Sequence, residues 1–156
     1  VTLVVSPPTR VPAVDTERYF QREWRDYLLT LQGLAGAAPQ VLFTLSLTNQ
    51  HASIVTTPLT LPAVTAGYYR ISLYQTITTV DAVSSSLGTT VAWVDGGAVK
   101  SFATAAMTGN TLATNDSMVR LIHIDNASPI TYATLYASNT PNVMRYALGI
   151  VTEAIP

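Results

Sequence analysis

From Val41 to Glu153 the chain alternates apolar and polar residues with a period of two, and no stretch within that span carries a helical period. Successive side chains on opposite faces of a strand produce this pattern. VLFTLSLT (41–48) sets Phe43, Leu45 and Leu47 against Thr44, Ser46 and Thr48. GYYRISLYQTIT (67–78) puts Tyr69, Ile71, Leu73 and Ile77 on one face and Tyr68, Arg70, Tyr74 and Thr76 on the other. LGTTVAWVDGGAVKSFATA (87–105) reads as a hairpin about Asp95-Gly96-Gly97, because consecutive glycines supply the positive φ a tight turn needs. SIVTTPLTLP (53–62) contains Pro58, which cannot donate to a ladder and so predicts an edge strand or a bulge. GNTLATND (109–116) reads as loop, and SMVRLIHID (117–125), ITYATLYA (130–137) and VMRYALGIVTE (143–153) complete the set. Parallel neighbours would need crossovers of about a dozen residues, which the short connections exclude. The expectation is mainly β: an antiparallel β-sandwich over residues 40–156, jelly-roll-like with about eight strands, preceded by an extended arm and one α-helix.

The helix is expected over residues 15–36. Asp15 or Thr16 caps its start, and Glu17 in the first turn faces the positive end of the dipole. Phe20, Trp24, Tyr27, Leu28, Leu31 and Leu34 recur at helical spacing and form one stripe. Arg18, Arg22 and Arg25 form a second, with Arg22 and Asp26 spaced for an i,i+4 pair. Gly33, Gly36 and Pro39 end it. Of the 8 basic and 9 acidic residues in the chain, seven fall between Asp15 and Asp26. The stripe has two readings. It packs on the chain's own sheet, or it is a self-associating seam with the arginines pairing across it.

Residues 1–14, VTLVVSPPTRVPAV, carry Pro7, Pro8 and Pro12, which forbid helix and favour extended geometry. Leu3, Val4, Val5 and Val11 are apolar with no evident core of their own. The segment is either a disordered terminus or an anchoring arm laid on a neighbouring subunit.

Charged residues make up 11% of the chain, against about a quarter in typical domains. Such neutrality is common where surface is buried in an assembly. The net charge of −1 gives no basic stripe of the kind nucleic acid requires. No apolar run approaches the roughly 20 residues that span a bilayer, and VTLVVSPP lacks a basic n-region, so neither membrane insertion nor a signal peptide is expected. The composition predicts a soluble chain made in a cytoplasm.

The chemistry is thin. Without cysteine there is no disulfide framework or thiolate metal site. His51 lies in a loop. His123 shares a strand face with Val119 and Leu121 and reads as structural. No paired histidines at metal spacing occur. The acids are too dispersed for a glycosidase pair, and Asp95, Asp116 and Asp125 sit in or beside turns, where aspartate is at home. Ser84, Ser85 and Ser86 lack a nucleophile elbow. No cofactor, no metal and no enzymatic activity are expected. Strand tyrosines mostly bridge core and rim. Tyr68 and Tyr74, beside Arg70, are the ones placed to be exposed, where they could meet a partner protein or a host surface glycan.

Two stretches carry a resemblance. PPTRVPAVDTERYFQREWRDYLLTL resembles the Pro-rich arm and aromatic helix that open many small structural proteins of tailed bacteriophages. PITYATLYASNTPNVMRYALGIVTEAI is similar to the last strand pair of phage sandwich domains. Together they cover about a third of the chain, and residues 40–117 match no such pattern. The resemblance implies a virion component, commonly a homotrimer with a β-sandwich head. The arm and helix would dock on other virion proteins, and the sandwich would be displayed as a short tail fibre or tail accessory. A capsid decoration protein is the alternative, and a carbohydrate-binding module or small hydrolase domain a further one.

Overall fold

The computed structural model describes residues 39–62, 64–125, 128–140 and 143–156. The expected arm and helix, with Leu3, Val4, Val5, Val11, Arg18, Phe20, Arg22, Trp24, Arg25, Tyr27, Leu28 and Leu31, lie outside the described residues. Pro39–Pro156 forms a compact unit of its own.

Among the described residues nine strands follow one another: β1 (Gln40–Gln50), β2 (Thr57–Pro58), β3 (Gly67–Thr79), β4 (Ser86–Asp95), β5 (Ala98–Ala103), β6 (Met107–Thr108), β7 (Asn115–Ile124), β8 (Thr131–Ala137) and β9 (Arg145–Ile155). One sheet has the order β1-β9-β3-β7. The other runs β2-β8-β4-β5, with the short β6 also on β4. Every pairing is antiparallel. With β6 set aside, the pairing is nested. The first strand meets the last (β1 with β9), then β2 meets β8, β3 meets β7 and β4 meets β5. This is a long hairpin rolled into two facing sheets, the jelly-roll sandwich.

Period-two patterning sets the register. In β3, Tyr69, Ile71, Leu73 and Ile77 are buried, while Tyr68 and Tyr74 are exposed. Across the sandwich Leu87 and Val91 of β4 and Tyr132 of β8 meet Tyr146, Leu148 and Ile150 of β9 in one core. Each such large side chain contributes about 1.5–3 kcal/mol by leaving water.

Three polar devices join the sheets. Thr89 Oγ1 on β4 donates to Gln75 Oε1 on β3 at 2.6 Å, and Gln75 Nε2 donates to Thr104 Oγ1 at 3.0 Å. Tyr146 Oη on β9 lies 2.8 Å from Thr134 Oγ1 on β8 and donates to the Ala52 carbonyl at 2.9 Å. Burial pushes the Tyr146 phenol above its usual pKa. Asp81, buried in the β3–β4 connection, accepts from Ser138 Oγ at 2.6 Å and Thr140 N at 2.9 Å.

Two sequence readings differ from the observed elements. The expected strand over 53–62 contracts to Thr57–Pro58. Prolines 58 and 62 interrupt the ladder, and single bonds tie its flanks instead: Leu59 N to Ile130 O at 2.8 Å and Ile54 N to Thr134 Oγ1 at 2.8 Å. Met107–Thr108, between the expected hairpin over 87–105 and the expected loop over 109–116, forms a two-residue strand against Ser86 and Leu87. The hairpin at Asp95-Gly96-Gly97 is as expected, with Gly96 and Gly97 at φ 61° and 69°, the paired positive values of a type I′ turn.

Candidate functional site

The outer face of the β1-β9-β3-β7 sheet holds the side chains with most to offer a partner. The pleat alternates, so Tyr68, Arg70, Ser72 and Tyr74 of β3 point away from the core. Their cross-strand neighbours are fixed by register. Tyr68 lies between His123 of β7 and Ile155 of β9. Arg70 lies between Leu121 and Glu153, Ser72 between Val119 and Val151, and Tyr74 between Ser117 and Gly149. Tyr68 is 54% exposed and Tyr74 49%, and beside them Val119 and Leu121 stand open at 59% and 64%. Gly149 opposite Tyr74 leaves that ring without a side-chain neighbour on the β9 side.

Arg70 is not a free cation. Its Nε donates to Glu153 Oε2 at 2.6 Å. This hydrogen bond holds the Glu153 carboxyl below the usual carboxylate range and raises the guanidinium above its ordinary value. At this half-exposed position the pair fixes side-chain direction more than it stabilises the fold.

At the end of the same face, His123 Nδ1 lies 2.8 Å from Asp95 Oδ1. A carboxylate only accepts, so Nδ1 carries the proton. The Tyr68 ring leans on this imidazole at 4.9 Å and 58°. Asp125 Oδ2 accepts from Gly97 N at 3.2 Å. Together these contacts hold the β4–β5 hairpin tip against β7. They assign Asp95, Asp125 and His123 to closing one end of the sandwich.

Six residue positions, about 20 Å along an extended strand, separate Tyr68 from Tyr74. The two rings therefore do not share one pocket. The face carries aromatic platforms, an apolar strip and an internally neutralised ion pair. It can desolvate and stack against a partner. Among the described residues, no group of three or more His, Cys, Asp or Glu is placed to hold a metal ion. On the other sheet an open apolar cleft of about 230 Å³ is lined by Ala92, Val94, Val99, Pro129 and Thr131 among others, without a charged side chain.

No family model matches the chain, and no curated protein matches it. Among solved structures it is similar to infectious bursal disease virus of the Gt strain, at 17% identity over 75% of this chain and 33% of that one, with a TM-score of 0.46. It is also similar to the Gx strain of the same virus, at 15% identity over 72% and 32%, TM-score 0.46. A mutant VP2 protein of infectious bursal disease virus, in derived T=1 particles, matches at 15% identity over 76% and 31%, TM-score 0.44. The chain thus spans about a third of the length of these proteins.

Of the residues read from sequence as an exposed binding face, Tyr68, Arg70 and Tyr74 all lie on this one surface. The sequence reading left out Glu153, Leu121 and Val119 as members of it. Period two already placed Val119, Leu121 and His123 on one strand face. Glu153 is 83 positions from Arg70, and only the β3–β9 register brings them together.

Proposed function

We propose that the chain is a non-enzymatic structural component of a virus particle. Residues 1–36 dock on the particle, and the jelly-roll unit is displayed outward. The observation that carries this reading is the nested sandwich itself. It has an apolar core between its two sheets, outer faces poor in charge and titratable side chains such as Asp81, Asp95 and Glu153 engaged in holding the chain together, and jelly rolls recur in viral coat and lectin domains. A fold alone does not fix a function. The resemblance of residues 7–31 to phage arm-and-helix openings supplies the second support, and favours a homotrimeric short tail fibre or tail accessory of a tailed bacteriophage. Capsid decoration is the rival placement.

Deletion of residues 1–14 tests the docking. The truncated protein is expected to keep its strand-type circular dichroism and to fall in occupancy on purified particles. Wild-type occupancy would exclude an anchoring arm.

The exposed Tyr68 and Tyr74 favour one secondary reading, a host surface glycan stacked on the sheet face. Glycan-array binding that is lost in Tyr68→Ala and Tyr74→Ala supports it. An array without signal removes it.

A further inference from the structure

Among the described residues four strands end the two sheets: β1 and β7 on one, β2 and β5 on the other. A sheet edge presents unpaired N–H and C=O groups, and natural proteins guard it with charge, proline or brevity. Three of these edges are guarded. β2 is two residues long and contains Pro58, β5 carries Lys100, and β7 carries Asp116 and Arg120. The fourth, β1, runs eleven residues, QVLFTLSLTNQ, with no charge and no proline.

The core also runs off this edge. Phe43, Leu45 and Leu47 of β1 are only half-buried, although they continue the row of Thr152, Ile150 and Leu148 on β9, which are 0%, 0% and 1% exposed. A further strand beside β1 would complete the row.

The sequence of β1 indicates which strand that is. Reflected about Leu45, Phe43 falls on Leu47, Thr44 on Ser46 and Gln40 on Gln50. The two mismatches, Leu42 with Thr48 and Val41 with Asn49, lie at the register shifts between Val41 and Phe43 and between Leu47 and Gln50. We propose that β1 pairs antiparallel with β1 of a second copy of this chain about a two-fold axis at Leu45, joining the two four-stranded sheets into one. The pairing is isologous, so each residue must tolerate its mirror position. A neutral strand meets itself without like charges opposed, and Thr44 opposite Ser46 is a favourable cross-strand pair. The pairing goes beyond the particle reading by giving the displayed unit a two-fold contact distinct from any helix seam.

The cysteine-free chain gives a direct test. Directly opposed residues of an antiparallel pair lie about 4.5–5.5 Å apart between Cα atoms, within disulfide range, whereas diagonal neighbours lie about 7–8 Å apart. Full-length Thr44→Cys and Ser46→Cys chains, differently tagged, are mixed and oxidised. Thr44 and Ser46 are exposed on the outer face, so neither change touches the core. The mixture is expected to give a disulfide-linked heterodimer at least tenfold above either variant alone, and above Ser101→Cys on the Lys100-guarded β5 edge. A mixture no better than these controls overturns the two-fold register. Protection of β1 amides from hydrogen exchange without the heterodimer also overturns it, assigning the edge to another segment or protein. A second pair of variants reads the same contact through charge. Thr44→Lys with Ser46→Lys opposes like charges across the axis and is expected to weaken self-association at least tenfold. Thr44→Lys with Ser46→Glu opposes unlike charges and is expected to retain it. Equal association of the two would contradict the proposal.

Discussion

Thr89 Oγ1 donates to Gln75 Oε1 at 2.6 Å across the middle of the sandwich, and both residues are almost wholly buried. The amide of Gln75 then reaches Thr104 Oγ1, which accepts from Thr89 N at 2.9 Å. One side chain from the first sheet thus closes a polar ring with Thr89 of the second sheet and Thr104, just past the end of β5. A buried network of this kind is favourable only while every member is satisfied.

Gln75→Leu keeps most of the volume but leaves the Thr89 and Thr104 hydroxyls without the amide. The expected cost is about 2–4 kcal/mol, from unsatisfied buried groups and imperfect packing. Urea denaturation monitored by circular dichroism measures it. A loss below about 0.5 kcal/mol would mean that the ring does not hold the sheets together.

Thr152 makes the opposite prediction. Its Oγ1 is buried with no hydrogen-bond partner among the described residues, between Phe43 on β1 and Ile71 on β3. Thr152→Val replaces the orphan hydroxyl by a methyl of similar shape and should stabilise the fold by about 1 kcal/mol. An unchanged or lowered denaturation midpoint would show that the hydroxyl is satisfied in solution.

Hydrogen bonds from Ser138 Oγ, and then from Thr140 N, hold the Asp81 carboxyl below its usual value. A depressed folded-state pKa means the unfolded chain takes up the proton first as pH falls. The contribution is therefore complete above the ordinary aspartate range and lost as pH drops through and below it. Asp81→Asn should lower stability at neutral pH and flatten the acid limb of the stability curve. Parallel acid limbs for the two proteins would remove Asp81 from the account.

The helix seam is tested separately from the strands. Trp24→Ala with Leu28→Ala should shift the chain toward smaller species in light scattering while the strand spectrum persists. Each truncated side chain removes about 1.5–3 kcal/mol of apolar burial if the seam exists. Wild type that runs as a clean monomer at micromolar concentration would count against the seam, and a dimer that persists when Thr44→Lys with Ser46→Lys opposes the β1 contact would count against three-fold stoichiometry.

The fold was largely legible because the long strands carry their own alternation and the DGG turn names its own geometry. β2 was legible from Pro58 as an edge strand but not in its length, since Pro58 and Pro62 disrupt pairing while leaving the surrounding apolar pattern intact. The outer face was half legible. Tyr68, Arg70 and Tyr74 share one strand, so period two places them together. Their partners Glu153 and His123 come from β9 and β7, and no local signal links residues that only strand order makes adjacent. The β1 edge could not be recognised as unguarded before the order of strands showed which four were edges.

A cryo-EM map of the intact particle tests the central claim most directly. The account predicts density for the jelly-roll unit on the outside of the particle, with residues 1–36 continuing into contact with other virion proteins. Particles that lack this chain, or that carry the unit with no contact through its first 36 residues, would contradict it.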